Sequence, residues 1–116
     1  MRDMTTEIRA ASVPIYLAGE FVESGTPLEV RNPADDSLVG TTFQAGADEL
    51  ERATVAAVAA FEETKRLPSY ARRDALAHVA ACIERDAEEL SVLLSRESGK
   101  PIKDARGEVA RGALTL

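Results

Sequence analysis

The sequence predicts an α+β chain, with short strands first and amphipathic helices after. Strand-forming residues are confined to about 15–43 and helical periodicity occupies about 48–116. The change of period falls at a single place, just after Gly46. With 116 residues the chain has room for one modest core, and it is short for an enzyme that must hold two substrates. No internal repeat and no low-complexity linker divides it, so 15–116 is expected to form one continuous unit behind a flexible arm at 1–14.

Each element follows from local pattern. In "PIYLAGEFVES" Ile15, Tyr16 and Leu17 enter a hairpin, Ala18-Gly19 turn it, and Phe21 with Val22 return. In "PLEVR" Leu28 and Val30 alternate with Glu29 and Arg31. Asn32-Pro33 and Asp35-Asp36 then supply turn residues before "LVGTTF", which is rich in β-branched and apolar types. Asp48 with Glu51 resembles a helix-capping pair, after which Leu50, Ala53, Ala57 and Phe61 share a face with Val58 beside them. Pro68 closes that helix and Ser69 is expected to cap the next. Leu76, Val79, Ala80, Ile83, Ala87, Leu90 and Leu94 then form a stripe at steps of three and four, on one long helix or on two with a bend near Asp86. A final stripe, Ile102, Ala105, Val109, Ala113 and Leu116, opens a further helix that meets no Gly, Asn or Pro, and truncation at the C-terminus is expected.

Composition excludes several functions. Hydrophobic residues at 45% and charged residues at 29% suit a globular protein rather than a disordered one. A formal net charge of -6 opposes a phosphate backbone, so nucleic acid is not an expected partner. The opening "MRDMTTEIRAASVP" has no apolar signal core, and the longest apolar run, "VAAVAAF", is too short to span a bilayer. No membrane partner is expected, and a cytoplasmic location is. The single cysteine, Cys82, agrees with that compartment because it has no partner for an internal disulfide.

Three groups invite a chemical reading. Ser98-Gly99-Lys100 suggests a phosphate loop, but such a loop needs glycine where Leu94 stands and a hydroxyl residue where Pro101 stands. Gly99 is instead expected to end a helix in the left-handed conformation, with Lys100 at the negative helix end and Pro101 opening the next helix. Cys82 lies among Ala80, Ala81 and Ile83, without the cationic surroundings that activate a thiolate. His78 is four residues earlier and the pair could offer two metal ligands, but no third is nearby. The carboxylates of "ELERA", "FEETKR" and "IERDAEEL" read as wet helix faces with near-neighbour ion pairs. Spacing therefore assigns no catalytic, cofactor-binding or metal residue to this chain.

The order of pieces nevertheless resembles a family. Asn32-Pro33-Ala34 between two strands, the helical stretch Arg73–Leu94, and Glu97-Ser98-Gly99-Lys100-Pro101 leading to Glu108-Val109 are similar to the amino-terminal part of the aldehyde dehydrogenase superfamily. The resemblance covers about 15–116. It implies an α/β parent enzyme that oxidises a small aldehyde to its carboxylate with NAD or NADP, through a cysteine thiolate, a hydride transfer and a glutamate-activated water. The catalytic and cofactor-binding residues of that family lie downstream of the part resembled, so none is expected here and Cys82 inherits no role. A homo-oligomeric parent is implied. The expectation for this chain alone is an inactive fragment that binds no cofactor, and the alternative is a dehydrogenase-derived protein-interaction module.

Overall fold

The structure, a computed structural model, describes residues 11–116. Among the described residues five strands precede four helices, which is the α+β order expected. The chain divides into two compact units, Met1–Val58 and Ala59–Leu116. No linker marks the division because it falls inside one continuous helix, α1 (Ala47–Thr64). A composition search for a boundary looks for a break in the chain and finds none there.

In the first unit β1 (Ala11–Ser12), β5 (Leu38–Gln44) and β4 (Thr26–Arg31) form one sheet in that order, and β2 (Ile15–Leu17) pairs with β3 (Glu20–Val22) in a second. Most of the arm expected over 1–14 lies outside the described residues. Ala11–Ser12 at its end, however, pair in parallel with Gly40 and Thr41, and the Val13 amide donates to the Thr41 carbonyl at 2.8 Å. Two residues are too few to show periodicity, so pairing with a distant strand was invisible in the sequence. The β2–β3 turn is the one expected, at Ala18-Gly19. Both of its central residues have positive φ, 53° and 92°, which is the twist a two-residue hairpin needs.

The β4–β5 connection is held by polar side chains. Asn32 Oδ1 accepts from the Ala34 amide at 3.0 Å, while Asp35 Oδ1 accepts from the Ser37 amide and hydroxyl at 3.0 and 2.6 Å. Asp36 turns the chain at φ 57°, a region that Asp tolerates better than most side chains. Leu17 and Val39 are the buried apolar side chains described in this unit.

Helix α1 is capped two residues earlier than the sequence suggests. The Gly46 carbonyl accepts the first helical bond from Leu50, and Glu49 Oε2 accepts from the Gly46 amide at 2.8 Å. The capping contact is thus the one bond from the Gly46 amide to Glu49, in place of a pair between Asp48 and Glu51. Glycine is accepted at such a position, but it carries no side chain for a pattern search to find. The face of α1 expected to be packed is also displaced. Leu50, Val58 and Phe61 are all at least 60% exposed, and α1 has no buried residue.

In the second unit, α2 (Ser69–Arg85) and α3 (Ala87–Ser98) are separated at Asp86, so the bent alternative is the one realised. Pro68, not Ser69, stands at the start of α2, and its carbonyl accepts from the Ala71 amide at 3.1 Å. Proline at ψ 153° sets the extended entry, and Ser69 becomes the first helical residue. Helix α4 (Ile102–Leu114) packs against both α2 and α3. The buried side chains of this unit are Ser91, Ala105 and Ala113. Their small volumes let the α4 backbone come close to its neighbours. Among the described residues no helix is long and apolar enough to cross a membrane.

Candidate functional site

The elbow between α3 and α4 is where the sequence invites a phosphate, and the structure shows what its groups do. Gly99 ends α3 at φ 70° and ψ 10°, as expected for a left-handed helix stop, and its amide donates to the Ser95 carbonyl at 2.9 Å. The Lys100 amide donates to Ser98 Oγ at 3.3 Å, and Ser95 Oγ donates to the Lys100 carbonyl at 2.6 Å. The Lys100 ammonium is paired with Glu108 one helix on, and Arg111 reaches the same carboxylate at 3.6 Å. A phosphate cradle needs converging free amides and an available cation. Here the Gly99 and Lys100 amides and the lysine all have partners within the protein.

Around the elbow lies an open cleft of ≈ 550 Å³ lined by Lys100, Lys103, Asp104, Gly107, Glu108 and Arg111. Its charges are of both signs and largely cancel. A second clamp joins the same helices, with Arg106 Nε and Nη2 donating to the two Glu88 oxygens at 2.9 and 2.6 Å. This is a two-bond fork between residues far apart in sequence, which fixes the angle of α4 against α3 better than a single contact would. Both partners are more than half exposed, so its contribution is geometric more than energetic.

The other sequence candidates do not assemble into a site. Cys82 Sγ lies 3.7 Å from His78 Nε2 on α2, with the thiol half-buried and the imidazole exposed. Among the described residues no group of three His, Cys, Asp or Glu is placed to hold a metal. Three carboxylates of the helical region face solvent in local pairs, Glu62 with Lys65, Asp74 with Arg73 and Asp86 with Arg85, whereas Glu88 pairs with the distant Arg106. An apolar cleft of ≈ 580 Å³ in the first unit, lined by Ile15, Tyr16, Leu17, Leu50 and Ala53, was not foreseen. Tyr16 and Phe21 meet edge to face at 5.1 Å beside it, both exposed. The signal was in the alternation of the hairpin, which puts Tyr16 and Phe21 opposite one another on one face.

Several carboxylates are held below their ordinary range by donors. The hydrogen bond from Arg106 lowers Glu88, that from Lys100 lowers Glu108, and those from Ser24 and then the Gly46 amide lower Glu49. A carboxylate with a depressed folded value stabilises the fold above its unfolded value and loses that contribution as pH falls through the folded value. Urea midpoints are therefore expected to hold from pH 7 to about 5 and to decline below about 4.5. The decline should be smaller in Glu108→Gln, and a wild-type midpoint unchanged down to about pH 3 would refute the coupling.

Fold and elbow define a segment of short strands and packed helices in which the groups around Gly99 and Lys100 are paired with one another. The sequence profile of the aldehyde dehydrogenase family matches residues 21–116. The chain is 37% identical over 111 residues to a malonate-semialdehyde dehydrogenase of Bacillus cytotoxicus, covering 94% of this chain and 22% of that one. It is 36% identical over 106 residues to a 1-pyrroline-5-carboxylate dehydrogenase of Bacillus pumilus, covering 90% of this chain and 21% of the relative. Aldehyde dehydrogenase 21 from Physcomitrella patens, solved in complex with the reaction product succinate, superimposes with a TM-score of 0.86 at 36% identity, over 90% of this chain and 22% of that structure. A Thermus 1-pyrroline-5-carboxylate dehydrogenase with bound NAD gives 0.87 at 34% identity, over 91% and 21%. The chain belongs to the aldehyde dehydrogenase family and corresponds to an amino-terminal segment of it. It spans about 22% of the length of the curated relatives it matches.

Proposed function

We propose that this chain is the amino-terminal structural segment of an NAD(P)-dependent aldehyde dehydrogenase that converts a small aldehyde to its carboxylate. The observation that carries the reading is the superposition on a family structure over 90% of this chain but only 22% of that structure. The family uses NAD(P). The substrate class proposed for the whole enzyme is a short aldehyde carrying a carboxylate of its own. Support comes from the names of relatives, which include malonate semialdehyde and 1-pyrroline-5-carboxylate dehydrogenases and a succinate complex. We propose that the enzyme works in the cytosol as a homo-oligomer.

The residues present do not fit the cofactor. A dinucleotide pyrophosphate is held where a strand turns through glycines into a helix whose N-terminal amides face the anion. The strand-to-helix turn described here, from β5 to α1, has one glycine, Gly46, and its amide already donates to Glu49. Glu49 also accepts from Ser24 Oγ, so a carboxylate occupies the position an anion would need. No step of the reaction is therefore assigned to this segment.

The purified chain, supplied with NAD or NADP and with malonate semialdehyde, succinate semialdehyde or lactaldehyde, is expected to give no increase in absorbance at about 340 nm above buffer. Turnover by the chain alone would overturn the reading. A second reading, a protein-interaction module, is favoured by one observation, the exposure of Tyr16, Phe21, Leu50, Val58 and Phe61. Light scattering after size exclusion separates the two. Aggregation is expected of a segment with uncovered apolar surface, whereas a monodisperse complex with one partner protein would favour the module.

A further inference from the structure

We draw no further inference here: the strongest candidate, the exposed apolar patch of Tyr16, Phe21 and Leu50 around the cleft of the first unit, carries nothing because nothing in the structure shows what covers it.

Discussion

Gly25→Ala is expected to cost the first unit about 3 kcal/mol and to abolish protection of the β5 amides in hydrogen exchange. Gly25 sits at φ 90°, where an L side chain is strained by about 1–2 kcal/mol. Space makes matters worse. A methyl group there would overlap the Gln44 carbonyl oxygen and lie 3.0 Å from its carbon, and both belong to backbone that no rotamer change can move. Gln44 is the register partner of Thr26, so relief of the clash would open the β4–β5 ladder at its first pair. It would also displace Ser24, whose hydroxyl donates to Glu49 at the start of α1.

The comparison that isolates the steric part is Gly19→Ala. Gly19 has nearly the same φ, 92°, but an added methyl group there meets nothing within 4 Å. Its expected cost is the conformational strain alone, about 1–2 kcal/mol. At ordinary per-residue stability a unit of this size has roughly 3 to 9 kcal/mol in total. The first substitution should therefore remove about a third or more of that stability and the second a clearly smaller share. Equal losses in the two variants, read from denaturant midpoints, would show that the close approach to Gln44 is not rigid.

These glycines illustrate what the sequence made legible. Gly19 could be placed in a hairpin turn because alternating strands flank it, and Gly99 at a helix stop because Lys100 and Pro101 follow. Gly25 gave no such sign, since its requirement arises from Gln44, a residue distant in sequence. The same division holds across the fold. Turns and helix existence are set by neighbours in the chain, and those were readable, whereas the break at Asp86 was one of two alternatives the pattern allowed. The β1–β5 pairing, the Glu49–Ser24 contact and the Arg106–Glu88 fork are set by tertiary approach, and those were not. For the candidate site the position was legible and the occupancy was not. That Lys100 lies at a helix end follows from its neighbours, and Ser98, which accepts from its amide, is one of them, but that Glu108 pairs with its ammonium requires the placement of α4. The apolar face of α1 shows the limit of periodicity. A stripe identifies which residues share a face, whereas the side on which a helix is covered depends on what packs against it.

Ala105→Leu is expected to be the most damaging single change in the second unit, costing about 3 kcal/mol with a loss of helical circular dichroism. Ala105 is 0% exposed and Ala113, two turns on, is 8% exposed. Both lie on the helix that packs against α2 and α3, so the approach of the three helices is set by methyl groups. A leucine at 105 adds three carbons where no accessible surface remains, and α4 must move outward. The Arg106–Glu88 fork and the Lys100–Glu108 pair bridge α4 back to α3 and the elbow on either side of it, and a displaced helix would stretch both. Gly107→Ala on the same helix supplies the contrast. A methyl group there meets nothing within 4 Å, and replacing a helical glycine by alanine should raise stability by about 0.5–1 kcal/mol. Opposite shifts in the thermal midpoints of two variants only two residues apart would identify close packing at Ala105 as what holds α4 in place. A leucine at 105 tolerated as well as the alanine at 107 would mean that α4 is free to move and that the small residues of its inner face set nothing.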